Sequence, residues 1–336
     1  MKRTGIIFLA LMLASFALSG CKAKDEGVKV DRKTFPDADL YIAAIEKDLD
    51  HDNKLSQSEI ENATSIFLNR AKDLTGLDVF TNLETISIRD REIIKCDFNH
   101  FTNLRTLSIE GSCESDQLDL SGNTKLEKID INSKNLKKLV LPEGAPLKEI
   151  SIESTSLEGI DLNGYKGLQK IKIDGNEVIE GLILGNLTEL TELTCSSNAT
   201  LYTLDVINCP KLKVFECASN ALSDLNISGC ENIEELKCDD NRSLTSLDLS
   251  AFPKLTELDC SRNYITELDL SCCPELTKLV CVYNSLTSLD ISKGPELVGL
   301  VNAVNPDESK DGKSVYYHDE KIGHLSVDKG IDLRYS

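Results

Sequence analysis

The sequence predicts a mainly β protein, a parallel solenoid with a small helical cap at its N-terminal end and a further cap at its C-terminal end. One observation is a unit of 21 or 22 residues that recurs between residues 83 and 305 of the 336-residue chain. A second is that apolar residues within each unit alternate with period two, as in half-buried strands. Because one such unit cannot bury its own apolar face, neighbouring units must stack and share one continuous core.

The first residues predict a leader. Lys2 and Arg3 precede an apolar run from Ile6 to Leu18, which has the length of a secretory signal and is too short to span a membrane comfortably. The run ends in Leu-Ser-Gly-Cys21, which resembles the lipobox of bacterial lipoproteins; ordinary cleavage that leaves a free protein is the alternative. The resemblance implies that residues 1–20 are removed, that Cys21 is lipidated and that residues 21–34 form a tether. It implies a location at the bacterial outer membrane or cell surface.

Residues 35–75 are predicted to form the helical cap, and Asp48 to Glu59 within it resemble an EF-hand loop. Calcium requires a high density of hard oxygen ligands, and this loop concentrates them at one locus. The predicted ligands are Asp48, Asp50, Asp52, the carbonyl of Lys54, Ser56 and Glu59. Asn53 stands where Gly is usual, and Asn tolerates the left-handed conformation well. Helices are predicted from Asp39 to Lys47 and from Ser58 to Asn69, and calcium is predicted to stiffen this cap over the first unit.

Residues 76–305 contain the recurring unit, which is clear in Leu190 to Asn198 (LTELTCSSN). This pattern resembles leucine-rich repeats. The units begin at Leu83, Leu104, Leu126, Leu147, Leu168, Leu190, Leu212, Ile233, Leu255, Leu276 and, with a fading match, Leu297. A second short apolar pair in each unit, such as Leu204 and Val206, predicts a second short strand or extended segment. The recurring Asn predicts a ladder of side-chain amides that satisfies backbone groups at the turn, through Asn176, Asn198, Asn220, Asn241, Asn263, Asn284 and Asn305.

Five cysteines replace the inward isoleucine of the earlier units, and their spacing predicts a stack of buried free thiols that act as small apolar groups. They are Cys195, Cys217, Cys238, Cys260 and Cys281. A zinc or redox site is the alternative for this set, and the sequence leaves open whether Cys96 and Cys113 pair. The cysteine units resemble those of the internalin class of bacterial surface proteins over residues 82–305. That resemblance implies a protein-binding concave face; the N-terminal anchor makes the chain more similar to repeat-containing lipoproteins of the Bacteroidetes.

Charge and residue usage restrict the function. The formal net charge of −19 disfavours binding to nucleic acid and to anionic lipid, so the lipid anchor is the only membrane contact predicted. With four His in the chain and no catalytic motif, we expect no enzymatic activity and no organic cofactor. The sequence predicts a monomeric, adhesin-like module that binds a protein. A glycan-binding accessory lipoprotein of nutrient capture and a structural envelope protein are the alternatives.

The predicted concave strands carry charged outward side chains in the early and middle units and become apolar near the C-terminal end. Exposed apolar clusters often mark interaction sites. The candidate partner-binding residues are Tyr264, Val280, Val282, Tyr283 and Val301. Residues 306–336 lose the repeat and predict a C-terminal cap, which is the alternative explanation, since it would fold back over these side chains.

Overall fold

A computed structural model describes residues 27–93, 97–113, 116–304 and 306–335. Three α-helices are present in this part of the chain, α1 (Ala38–Lys47), α2 (Gln57–Asn62) and α3 (Pro295–Ala303), with one 3-10 turn at Leu77–Val79. The strands are β1 (Val28–Lys29), β2 (Lys54–Leu55), β3 (Ser65–Leu68), β4 (Thr85–Ile93), β5 (Thr106–Cys113), β6 (Gln117–Asp119), β7 (Lys128–Asn132), β8 (Lys138–Val140), β9 (Glu149–Glu153), β10 (Lys170–Asp174), β11 (Gly181–Gly185), β12 (Glu192–Thr194), β13 (Thr203–Ile207), β14 (Val214–Glu216), β15 (Asn226–Ser228), β16 (Glu235–Lys237), β17 (Glu257–Asp259), β18 (Lys278–Val280), β19 (Ser288–Asp290), β20 (Asp307–Glu308), β21 (Ser314–Asp319), β22 (Gly323–Asp328) and β23 (Asp332–Arg334).

Ten repeat units supply consecutive parallel strands of one sheet, in the order β18-β17-β16-β14-β12-β10-β9-β7-β5-β4. Equivalent residues of adjacent units pair directly, as Lys170 does with Glu149 on one side and Glu192 on the other. The inward side chains of all ten strands are buried in one core. The predicted mainly β, parallel leucine-rich-repeat solenoid is therefore confirmed.

The second half of the unit forms short parallel sheets of its own, β6 with β8, β11 with β13 and β15, and β19 with β23. Their inward residues, such as Leu182, Leu204 and Val206, are buried in the same core as the long sheet. Two stacked rows of apolar side chains, one from the long sheet and one from the short sheets, thus meet in the core, as the second apolar pair of the unit predicts.

The predicted asparagine ladder is present from Asn176 to Asn284; Asn305 lies outside the described residues. Asn220 is representative, because its amide nitrogen donates to the carbonyls of Cys195 (2.7 Å) and Cys217 (2.8 Å). Its amide oxygen accepts from the backbone of Asn198 at 2.8 Å. Buried turns thereby obtain the backbone partners that they need.

The N-terminal cap differs from the prediction in its second helix. The capping box of Ser56 and Glu59 begins α2, but the helix ends at Asn62 instead of Asn69. Ile66 and Leu68 of β3 are then buried on one face of the strand, Phe67 is exposed on the other, and β3 pairs in parallel with β4. The open edge of the sheet, rather than helix propensity, decides the structure of this segment.

The C-terminal end also differs, because Leu297 does not begin another strand. Gly294 and Pro295 start helix α3, which buries Leu297 and Leu300. The place beside β18 is taken by β22, which pairs with it in parallel, while β21 and β20 continue the sheet antiparallel. The sheet thus reaches fourteen strands, from β3 to β20. None of the helices in the described segments has the length and apolar character of a membrane span.

Candidate calcium loop and binding face

The candidate calcium loop, residues 48–59, joins α1 to α2. Carboxylate oxygens of Asp48, Asp50 and Asp52 lie within 4.8 Å of one another, and Asp48 is buried whereas the other two are exposed. The backbone nitrogen of Asp52 donates to both Asp48 and Asp50 at 3.2 Å, so the loop curls around the carboxylates. Asn53 takes the left-handed conformation, with φ 63°, where the loop turns sharply. This cluster of hard oxygens fits a calcium ion.

Glu59 closes the loop but does not join the aspartate cluster. Its carboxylate accepts from the backbone of Leu49 at 2.6 Å and from the backbone and hydroxyl of Ser56 at 2.8 Å. Burial opposes its ionisation, yet these hydrogen bonds outweigh burial and lower the pKa of Glu59. Glu59 is therefore an ionised carboxylate placed at the loop, while Ser56 caps α2.

The loop strand β2 has an unpredicted partner. Val28 pairs with Leu55 and Lys29 with Lys54 in an antiparallel arrangement, and the backbone of Val30 donates to the carbonyl of Asn53 at 3.0 Å. Residues 28–30, which lie within the predicted tether, are thus joined directly to the candidate calcium loop.

The second candidate site is the sheet face, which we define as the outward side chains of the fourteen-stranded sheet. Cations on it pair with carboxylates of adjacent strands: Lys128 with Glu149 at 2.5 Å, Lys170 with Glu192 at 2.7 Å, Lys237 with Glu216 at 2.6 Å and Lys278 with Glu257 at 2.9 Å. Such exposed pairs contribute little to stability, typically below about 1 kcal/mol. Their opposite charges remain accessible to a partner, and a groove of about 200 Å³ runs between the strands from β7 to β12.

Carboxylates crowd the sheet face at the ends of β10, β16 and β17. Burial and the neighbouring carboxylate of Asp259 raise the pKa of Asp239, and burial raises that of Asp174. Positively charged groups of a partner would be favoured here, because a nearby cation relieves the repulsion between neighbouring carboxylates.

The candidate partner-binding residues do not form one exposed patch. Val280 is half-buried on the sheet face, and Val282 is only 6% exposed. The backbone of Tyr283 donates to Asp328 of the cap, and its ring lies 4.8 Å from the Arg262 guanidinium. Tyr264 is 57% exposed on its turn.

Val301 lies on helix α3 and not on a strand of the sheet. The burial of Val282 corrects the expectation that it is exposed, since β22 and the following turn extend the sheet beside it. The C-terminal cap therefore covers part of the predicted patch. Tyr264 is the most exposed of the five residues, and Val280, Tyr283 and Val301 are half-buried.

The five cysteines of the repeat are buried and unpaired, each at 0 or 1% exposure. Burial raises the pKa of their thiols; acidic neighbours such as Asp174 beside Cys195 act in the same direction. Cys272 is exposed. Cys21 and Cys96, and the side chain of Cys113, lie outside the described residues, and so does the predicted leader.

One surface feature escaped sequence analysis. Ile42 and Ile45 lie in the helix before the loop, as predicted, but the buried face of α1 consists of Leu40, Ala43 and Ala44. Ile42 and Ile45 are exposed instead, with Leu49 just beyond the helix. The signal that reveals this is the presence of two separate apolar stripes on one short helix.

No family model and no curated protein match the chain. Among solved structures, it is similar to an internalin, InlF, of Listeria monocytogenes, with 17% identity, 81% of this chain and 88% of that chain covered, and a TM-score of 0.52. It is also similar to the functional domain of InlJ of Listeria monocytogenes, which includes a cysteine ladder (17% identity, 92% and 99% covered, TM-score 0.40). A leucine-rich-repeat protein of Leptospira interrogans is similar as well (17% identity, 69% and 69% covered, TM-score 0.49). The similarity to InlF shows a shared leucine-rich-repeat fold.

Proposed function

We propose that this chain is an adhesin-like bacterial surface lipoprotein, anchored through Cys21, that binds a protein partner on the sheet face. The observation that carries the proposal is the long, regular face of outward side chains, held rigidly by one core and bearing accessible charges of both signs. Electrostatic complementarity on such a face selects partners and sets their orientation. The resemblance of the leader to a lipobox and of the cysteine units to internalins supports the surface location and the adhesin-like role.

A capture experiment tests protein binding. The soluble form, residues 22–336, is immobilised and offered solubilised surface proteins and, in parallel, purified glycans. We expect a discrete protein to be captured. Capture of glycan alone would favour nutrient binding, and capture of neither would favour a structural role.

Charge-reversal variants locate the binding face. Lys128→Glu with Lys170→Glu reverses two cations of the sheet face, and we expect capture to fall by about tenfold or more, because like charges would then oppose each other across the interface. The matched control is Lys137→Glu with Lys138→Glu, which makes the same charge change at β8, in the second set of sheets. An equal loss from both pairs would contradict binding at the sheet face.

We also propose that calcium is bound by the carboxylates of Asp48, Asp50 and Asp52, with the Lys54 carbonyl, Ser56 and Glu59 as further ligands. The ion would neutralise these crowded charges and hold α1, β2 and α2 in place over β3. Calcium should therefore raise the melting temperature of the wild-type protein. An Asp48→Ala, Glu59→Ala variant that melts at the wild-type temperature in excess calcium would refute the capping role.

A further inference from the structure

Helix α1 presents a second apolar stripe to solvent. Ile42 is 52% exposed, Ile45 41% and Leu49 70%. A spacing of three residues places Ile42 and Ile45 on one side of α1, and Leu49 follows just beyond the end of the helix at Lys47. The opposite side of α1 packs Leu40 and Ala44 into the core.

Single exposed apolar residues are ordinary on protein surfaces, but a continuous row marks a contact surface. This row belongs to the cap and not to the sheet face, so the binding of a partner along the sheet does not account for it.

The course of the chain indicates what lies opposite the stripe. Strand β1 begins at Val28 and pairs with β2 of the calcium loop, the loop that also contains Leu49. Only residues 22–26 separate Gly27 from Cys21. Fully extended, the six steps from Cys21 to Gly27 reach at most about 20 Å. A lipid on Cys21 would therefore hold the cap, and this end of it in particular, close to the bilayer.

We propose that Ile42, Ile45 and Leu49 rest in the interfacial region of the lipid bilayer that carries the anchor. This inference rests on the proposed lipidation of Cys21 and is independent of the protein partner. It adds a second membrane contact to the lipid anchor. Apolar helix faces of this kind lie about 5–10 Å into the boundary between head groups and acyl chains. The contact would fix the direction in which the solenoid leaves the membrane.

The absence of Trp from the sequence provides a clean test. Leu49→Trp places a single fluorophore in the stripe. The matched control is Ile183→Trp on β11, where the native side chain is 61% exposed in the second set of sheets. Each full-length lipidated variant is reconstituted into phosphatidylcholine vesicles, with and without bromine on the upper acyl chain. Zwitterionic lipid is chosen because Asp50 and Asp52 border the stripe and the chain is acidic.

We expect brominated lipid to quench Leu49→Trp by about half, as for a side chain at interfacial depth, and to leave Ile183→Trp unchanged. Equal quenching of the two variants, or none at Leu49→Trp, overturns the proposal. Shielding of Leu49→Trp from both bromolipid and aqueous acrylamide would show that protein, such as a second copy of the chain, covers the stripe; it also overturns the proposal.

Flotation of the wild-type protein with the vesicles reports the anchor separately. If the protein does not float, Cys21 does not anchor it, and the proposed membrane contact of the stripe is refuted as well. Loss of protein capture by the soluble form, in contrast, bears only on the sheet face.

Discussion

The early and late repeat units differ in their inward residue, in the length of their strand and in the residue at the turn that follows it. In the early units the inward residue is isoleucine and β7, β9 and β10 are each five residues long. In the late units it is cysteine, and β12, β14, β16, β17 and β18 are each three residues long. Lys134 and Thr155 occupy, in the units of β7 and β9, the turn position that asparagine occupies in the late units and already, as Asn176, in the unit of β10.

The unit of β10 shows that the two features are separable, because its five-residue strand is followed by the ladder asparagine Asn176. From β9 onwards, in early and late units alike, the residue two after the inward position turns left-handed, as in Ser154 (φ 52°), Ser197 (φ 60°) and Ser219 (φ 56°). The asparagine amide then reaches back to the carbonyls of two successive cysteines, as Asn263 does for Cys238 and Cys260. A cysteine leaves room for this approach: the amide nitrogen of Asn198 lies 3.6 Å from the Cys195 sulfur.

The largest expected difference between the two halves appears in alkali. Burial raises the pKa of the five ladder thiols well above that of an unfolded cysteine, near 8.5. Their contribution to stability is fully present below that unfolded value and is lost as the pH rises above it, because only the unfolded chain releases the protons. Each thiol should reduce the free energy of unfolding by about 1.4 kcal/mol per pH unit in that window. Urea unfolding at pH 7 and pH 9.5, with a reductant present, measures the loss.

A variant isolates the thiol contribution from other alkaline titrations. Cys238→Ala lowers stability at pH 7 but should flatten the dependence above pH 8.5 by the share of one thiol. The same slope in the variant and the wild-type protein would show that the ladder thiols do not cause the alkaline loss.

The next effect concerns the turn residue. Asn241 is fully buried, donates to Cys217 and Cys238 at 3.0 and 2.9 Å and accepts from Leu222. Asn241→Ala leaves these backbone groups without partners and should lower the free energy of unfolding by about 3 kcal/mol. Lys134→Ala changes the equivalent position of an early unit, where the side chain is exposed, and should stay within about 0.5 kcal/mol. Similar urea midpoints for the two variants would contradict the distinction between the halves.

The repeated part of the fold follows from the sequence, because the units carry their own register. The spacing of Leu190, Leu193 and Asn198 fixes which side chains point inward and where the chain turns, and the next unit has the same spacing. The structure of the two ends of the solenoid does not follow from the sequence in this way. Ile60, Ala63 and Phe67 fit one helical stripe, but residues 65–68 pair with the edge of β4 as a strand instead.

At the other end, Leu297 and Leu300 keep the repeat spacing, yet Pro295 favours a helix start and β22 fills the edge of β18. These outcomes depend on contacts between distant residues that a local pattern does not record.

The candidate calcium loop was predictable for a related reason: its aspartates are close in sequence, so a short spacing already determines their proximity. The partial covering of Val282 was foreseen only as an alternative, since it depends on how residues 306–335 return to the sheet. The pairing of β1 with β2 was not predicted, because two residues carry no periodic signal.

The smallest expected effect separates size from chemistry at the inward position. If cysteine only fills space, Cys238→Ile should stabilise the late half by burying more apolar surface. Because the asparagine turn packs closely over the thiols, we expect overpacking instead, with a loss of about 2 kcal/mol. The reverse change, Ile131→Cys in β7, removes buried methyl groups without gaining a close asparagine and should cost about 1 kcal/mol. The urea midpoints of the two single variants show whether the late units need the smaller side chain. A gain in stability from Cys238→Ile would show that the late turn tolerates isoleucine, and that the asparagine alone distinguishes the two halves.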